Sequence, residues 1–462
     1  MFVKLEHPPV SKNKYLKMAS PELAAELTDL AEELRHLRFI HVNSTATGGG
    51  VAEILQSMVP LMNALGLATE RVVIDGNPDF FQVTKRIHNL LQGAEGSLSA
   101  SEFETYFQTN QSVADEFKRR GLEADAWFLH DPQVLPLASM LPLRPGEVRN
   151  WVCHIDLTTP NESTINSLLP LTQDYDNLFF SLPHYVPAGL NGVPVHIAPP
   201  AIDPVSSKNT SLSDRAAKTT VAAMGIDPHR PLVTQVSRFD LWKDPRGVVD
   251  AFLLARKTIP GLQLALLGLS QAIDDPEALD VLREVEEYAG ADPDIHLYYD
   301  VDGLPGSIDH VVSAFQVASD VVLQKSTREG FGLTVTEAMW KGKPMIGGNV
   351  GGIRVQIEDG VNGFLVDSPE ECARRIVQFM EDADLRARLG LKARESVRQR
   401  FLLPRLVLDY LRAVKSVSVP SNGNGSNNGL SLNGHSVNGL AGGDAMKGVT
   451  TQAANYRKQT AS

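Results

Sequence analysis

The chain has 462 residues, 43% hydrophobic and 21% charged, and its 43 basic against 55 acidic residues give a formal net charge of −12. That length exceeds what one hydrophobic core usually fills, so two domains are expected; the acidic balance argues against a nucleic-acid surface and leaves any anionic ligand to local cations. With two cysteines, Cys153 and Cys372, no secretory leader and no apolar run of membrane-spanning length, the sequence predicts a soluble cytoplasmic protein without disulfides.

Residues 1–19 are polar and are expected to wrap a surface. Ser20 and Pro21 supply a cap and a first-turn residue for a helix reaching about residue 38, with Leu23, Leu27, Leu30 and Leu34 on one face. Residues 39–43 read as a strand that ends in Ser44-Thr45-Ala46-Thr47-Gly48-Gly49-Gly50. Val51 opens a second helix in which Ile54, Met58, Leu61 and Leu65 recur at helical spacing. A triple glycine entering a helix offers bare amides to an anion, and glycine-rich turns also serve simply to redirect the chain. Residues 68–75 read as another strand and 80–92 as a helix.

Two later strands end in polar clusters. Residues 126–129 run into His130-Asp131-Pro132-Gln133, and residues 151–153 run into His154-Ile155-Asp156-Leu157. In open α/β sheets ligands bind beyond the carboxyl ends of strands, so both clusters are expected to face a cleft. An imidazole and a carboxylate there can hold hydroxyls and move protons near neutral pH, although a single histidine can also just cap a strand end. The spacing lacks the ligand pairs of a zinc site. After strands at 177–182 and 195–199, Pro199, Pro200 and Pro204 stop regular structure and place an interdomain hinge.

The second domain opens with a strand at 232–236, which delivers Arg238 and Lys243 on one loop. Two cations there suit a diphosphate leaving group, whose developing charge must be met, or else stand solvated at the surface. Further strands are expected at 262–267, 295–299 and 320–323, and a helix at 333–340. Gly330-Phe331-Gly332 therefore lies at a strand-to-helix junction, where the first helix amides lack internal partners and favour a phosphate. Glu329, at the mouth of that turn, suits neutral sugar hydroxyls better than the anion itself. Helices follow at 371–379 and 383–401. From residue 418 the composition shifts to Ser, Asn and Gly, and residues 419–462 are expected to be disordered.

Glu329 and Glu337, with seven residues between them, enclose Gly-Phe-Gly-Leu and are followed by Lys343-Pro344, Gly351-Gly352 and Asp359-Gly360-Val361-Asn362-Gly363. This run resembles the signature of the retaining glycosyltransferases of family GT4. His41-Val42-Asn43-Ser44-Thr45, Gly48-Gly49-Gly50-Val51-Ala52-Glu53, His130-Asp131-Pro132-Gln133 and Cys153-His154-Ile155-Asp156-Leu157 resemble, within it, the group of trehalose synthases and trehalose phosphorylases. The resemblance spans about residues 20–415 and implies an α/β protein of GT-B fold, two Rossmann-like domains facing a central cleft. It implies an acceptor domain at 1–199, a nucleotide-sugar donor domain at 200–404, and a helix at about 405–415 that crosses back to the first domain.

The resemblance also implies roles. His154, Glu329, Arg238 and Lys243 would carry catalysis. Gly49, Gly50, Arg238, Lys243, Arg328, Glu329, Gly330, Phe331, Gly332 and Leu333 would hold the donor, with Glu337 on its ribose. Asn43, Asp131, Gln133, His154 and Asp156 would hold the acceptor. The implied reaction joins an NDP-glucose to glucose with retention, giving α,α-trehalose. The alternatives are a trehalose phosphorylase using glucose 1-phosphate and, more remotely, a non-catalytic nucleotide-sugar sensor. No tightly bound cofactor is expected; related enzymes imply magnesium accompanying the donor, and a homodimer, with neither nucleic acid nor membrane as partner.

Overall fold

The computed structural model describes residues 2–47, 49–190, 192–269 and 276–418; Gly48 and the tail assigned to 419–462 lie outside the described residues. Strands such as Leu232–Val236 and Gln263–Leu267 are buried at every position, the pattern of a parallel sheet covered by helices on both faces. Two such sheets form. The first contains β1 (Phe2–Leu5), β2 (Arg38–Asn43), β3 (Ala68–Ile74), β4 (Ala126–His130), β5 (Val148–Cys153), β6 (Asn177–Phe180) and β7 (Val195–Ile197), in spatial order β1-β3-β2-β4-β5-β6-β7. The second contains β8 (Leu232–Val236), β9 (Gln263–Leu267), β10 (Ile295–Tyr298), β11 (Val321–Gln324), β12 (Met345–Gly348) and β13 (Phe364–Val366), in the order β10-β9-β8-β11-β12-β13. All named pairs are parallel except β1 with β3.

The strand order reverses at β2, between β3 and β4, and at β8, between β9 and β11. Ligand crevices in doubly wound sheets open at such switch points. The loop after β2 carries the glycine turn, β4 ends at His130, the loop after β8 carries Arg238 and Lys243, and β11 leads into Glu329.

The chain passes between the halves at a hydrogen-bonded crossing: Ile202 N donates to Phe401 O at 2.9 Å and Leu403 N to Ile202 O at 3.0 Å. The Leu403–Ser418 helix then packs on the Pro21–Glu33 helix, and its Tyr410 ring lies 4.8 Å from Phe128 of β4. The polar amino terminus differs from the expected surface wrap. Phe2 is buried against Phe117, with ring centroids 4.8 Å apart and nearly perpendicular, and this anchors β1 as an edge strand. Cys153 and Cys372 are both free and buried. No described helix is long and apolar enough to cross a membrane.

Candidate active site

The donor-side loop after β8 is set by Asp240, whose side chain accepts from Trp242 N at 2.8 Å, and by Asp244, which adopts φ 49° and accepts from Gly247 N. Lys325 Nζ bonds the Asp244 carboxylate. These contacts aim Lys243 across the loop, where its Nζ donates to Glu329 Oε2 at 2.7 Å. Glu329 Oε2 also accepts from Ser326 Oγ at 3.2 Å and Gln324 Nε2 at 3.4 Å. Arg238 is half exposed and stands 3.5 Å from Asp240 Oδ2.

Gly332, at φ 81°, precedes the Leu333–Trp340 helix and offers it no side-chain cap, so the first amides of the helix face the loop with no such partner. Gly351 reaches the turn from behind at φ 44°; a Cβ there would sit 1.8 Å from Glu329 O. Gln356 Nε2 donates to Phe331 O at 2.5 Å, tying the same turn down. Phe331 itself is buried, 5.7 Å from the Phe401 ring, and contributes packing together with its backbone.

The first sheet closes on this turn at several points. Tyr185 Oη donates to Gly330 O at 2.5 Å, and Arg328 Nη2 donates to Gln92 O at 2.7 Å. A Cβ on Gly50 would lie 4.0 Å from Leu333 Cδ1, so the glycine turn of the first half, with Gly49 at φ 80° as its helix cap, stands opposite the donor helix. Lys208 Nζ bridges the halves as well, 2.8 Å from Glu53 and 3.4 Å from Glu337. Glu337 is 3% exposed, and burial pushes its carboxyl above the usual carboxylate range against the opposing pull of Lys208.

On the acceptor side, Asp131 holds an unusual φ of 64° and its Oδ1 accepts from His154 N at 2.8 Å. A non-glycine residue in that region stores strain and marks a candidate functional position. Asp156 Oδ1 accepts from Thr158 N and Oγ1, at 2.9 and 2.6 Å, within its own turn. Burial, with Asp156 and Glu329 after it, raises the Tyr185 phenol, so these carboxylates share one neighbourhood with it. Gln133 Oε1 is buried without a partner among the described residues. Asn43, expected among the acceptor ligands, is buried with both ends of its amide committed: Oδ1 accepts from Arg71 Nε and Nδ2 donates to Thr45 O. In this structure it supports the loop after β2. Among the described residues no three His, Cys, Asp or Glu side chains gather as a metal cage.

Residues 41–187 match the sequence profile described as trehalose synthase, N-terminal domain, and residues 218–396 match glycosyl transferases group 1. A trehalose synthase of Rubrobacter xylanophilus is 42% identical over 400 residues, covering 86% of this chain and 95% of that one. The chain belongs to the trehalose synthase family. A trehalose phosphorylase of Grifola frondosa is more distant, 28% identical over 83% of this chain and 58% of its own length. Sucrose-phosphate synthase of Thermosynechococcus elongatus shares the fold, with a TM-score of 0.63 at 17% identity, over 82% of this chain and 99% of that one. The fold is GT-B and the protein is a glycosyltransferase.

In this member of the trehalose synthase family, the structure brings together Lys243 with Glu329, Arg328 and Gly330 with the first domain, and Asp131 with His154. Sequence reasoning missed Arg71, Tyr185, Lys208 and Gln356. Arg71 is fully buried and its guanidinium donates to Asn43 Oδ1 and to the carbonyls of Thr45, Ala46 and Ala52. The one sequence signal for it is a charge directly preceding the apolar Val72-Val73-Ile74 of β3; Tyr185, Lys208 and Gln356 lie far along the chain from what they touch and carry no local signal.

Proposed function

We propose that the protein is a retaining glucosyltransferase that forms α,α-trehalose from an NDP-glucose and glucose. The observation that carries this reading is the Lys243–Glu329 contact at 2.7 Å beside the uncapped start of the Leu333–Trp340 helix. A cation, a carboxylate and a helix start without a side-chain cap within one turn match a donor whose diphosphate and sugar hydroxyls are neighbours. Arg238, Lys243 and the Gly330 to Gly332 amides would take the charge that develops on the departing diphosphate. Glu329 and His154 would grip the glucose, Glu337 the ribose, and Gly49, Gly50, Leu333 and Arg328 would border the donor. Asp131, Gln133 and Asp156 would shape the acceptor pocket.

The chemistry proposed is front-face transfer. The acceptor hydroxyl oxygen bonds to the anomeric carbon as the carbon–oxygen bond to the diphosphate breaks, the diphosphate keeps that electron pair, and the acceptor proton passes to it. Magnesium is proposed to enter as the counter-ion of the donor, and the homodimer is part of the same proposal. The higher identity and nearly full-length coverage of the synthase relative, against 28% and 58% for the phosphorylase, support the synthase reading. A product assay tests it: purified protein with glucose, supplied in parallel with UDP-, ADP- or GDP-glucose or with glucose 1-phosphate. Trehalose from a nucleotide donor supports the proposal and names the base; trehalose from glucose 1-phosphate alone replaces it with a phosphorylase.

A further inference from the structure

Four polar side chains cross the first sheet in a row on consecutive strands: Arg71 on β3, His41 on β2, His130 at the end of β4 and His154 just beyond β5. Arg71 and His41 are paired across the β2–β3 register. His41 Nδ1 lies 3.0 Å from His130 Nε2, and His130 Nδ1 lies 3.2 Å from His154 Nε2. The rings are nearly parallel, with centroids 5.3 and 5.5 Å apart, and His41 stacks on Phe128 at 4.8 Å. His41 and His130 are sealed from solvent, whereas His154 is partly exposed.

Three neutral imidazoles joined in this way share their protons in two concerted arrangements. Each ring carries one N–H, so His130 can donate from Nδ1 to His154 only if it accepts at Nε2 from His41, or donate to His41 only if it accepts from His154. In the first arrangement every ring is protonated at Nδ1, and the far end of the row, His41 Nε2, is a bare lone pair. In the second every ring is protonated at Nε2, and His41 Nε2 carries a hydrogen. That atom is buried without a partner among the described residues. An orphaned buried N–H is the rarer defect, and the neighbouring Arg71 guanidinium repels a hydrogen but attracts a lone pair. At the other end the Asp131 carboxylate, bonded to His154 N, draws hydrogen toward the cleft. Both charges polarise the row in the same sense. Burial, followed by Arg71 for His41 and by the neighbouring imidazoles for His130, lowers both pKa values and keeps these rings neutral.

We infer that His41 and His130 are positioning residues that fix His154 as the neutral Nδ1–H tautomer, so that it meets the cleft as a hydrogen-bond donor. Its Nδ1 has no partner among the described residues. A donor there suits a ligand hydroxyl oxygen, and this consequence rests on the transferase reading above. The tautomer does not.

The test is ring-nitrogen NMR of the full chain labelled with ¹⁵N-histidine, the three rings assigned by single substitutions among the twelve histidines. Protonation at Nδ1 of His41, His130 and His154 is expected in the free protein. Protonation at Nε2 of all three overturns the inference. His41→Phe keeps the stacked ring but removes the donor to His130, and should turn the His154 signal into a tautomer mixture. His41→Asn, whose amide can still donate to His130, should restore it. An unchanged His154 signal in His41→Phe also overturns the inference, and if that variant does not fold the wild-type pattern decides alone. Kinetically, His41→Phe should lower kcat/KM for the nucleotide sugar about tenfold, the value of one hydrogen bond, and His41→Asn should recover most of it. The NMR readout needs no substrate, so its failure is separate from failure of the transferase reading, which the product assay on wild-type protein decides.

Discussion

Lys243 Nζ stands 2.7 Å from Glu329 Oε2, across two loops separated in sequence but adjacent at the switch point between β8 and β11. Both side chains are mostly buried, at 17% and 11% exposure, so the contact is screened less than a surface pair. In the proposed transferase reaction this lysine would meet the departing phosphate. Lys243→Ala should lower kcat by about 10²- to 10³-fold, the range for removing one preorganised group that meets developing charge. Steady-state kinetics with a thermal melt check this; a variant within threefold of wild type would remove Lys243 from the proposed chemistry.

Two glycines of the same turn separate architecture from ligand contact. At Gly351 a Cβ would meet Glu329 O at 1.8 Å, on a backbone at φ 44°. Gly351→Ala should therefore cost at least about 1–3 kcal/mol of stability and displace Glu329, with a large loss of activity. At Gly330 a Cβ would meet nothing within 4 Å. If a donor occupies that space, Gly330→Ala should leave stability within about 0.5 kcal/mol of wild type yet raise the donor KM. Denaturant titrations and donor KM values for both variants are the check, and an unaltered KM for Gly330→Ala would clear the donor from that side of the turn.

Lys208 joins one exposed and one buried carboxylate, and their burial decides which bond matters. Glu53 is 56% exposed, whereas the Glu337 side chain is 4% exposed. Glu53→Gln should change stability by less than about 1 kcal/mol, as exposed ion pairs do. Lys208→Met leaves the Glu337 carboxylate buried beside one cation fewer and should cost about 3–5 kcal/mol. Equal losses for the two variants in urea unfolding would show that burial does not set the strength of this bridge.

The alternation of strands and helices was legible because most strands carry short apolar runs separated by helical periodicity, and the GT-B arrangement was implied by the resemblance of the Glu329 to Glu337 run to family GT4. The Gly330-Phe331-Gly332 turn was legible because strand, glycines and helix are contiguous there. The amino terminus was misjudged because one buried aromatic, Phe2, decides that Phe2–Leu5 pairs as an edge strand, and its partner Phe117 lies more than a hundred residues away. The Ala100–Arg119 helix went unread although Ser99 and Glu102 form a reciprocal capping box at its start, a signal the sequence does carry. Asn43 shows the opposite limit. The resemblance implied an acceptor contact for it, and only the buried Arg71 beside it reveals that its amide also holds the loop after β2. A residue's neighbours across a sheet cannot be read from its neighbours along the chain.

The buried histidines also make folding stability depend on pH in a defined direction. Burial, with Arg71 adding to it, lowers the His41 pKa to about 3, against 6.5 for the unperturbed side chain. Burial lowers His130 and His154 as well, with Asp131 partly opposing the shift at His154. Below pH 6.5 the unfolded chain therefore binds protons that the folded chain refuses, so stability falls as pH falls and is restored as pH rises through the unfolded value. For His41 alone the loss between pH 7 and pH 5 is about 2 kcal/mol. His41→Phe should remove about that much of the difference between guanidinium-unfolding free energies measured at the two pH values, whatever its effect on stability at pH 7. Carboxylates titrating in the same interval contribute nearly equally to both proteins and drop out of the comparison. If wild type and variant lose the same stability between pH 7 and pH 5, His41 is not excluded from protons in the folded state, and the neutral row across β2, β4 and β5 is lost with it.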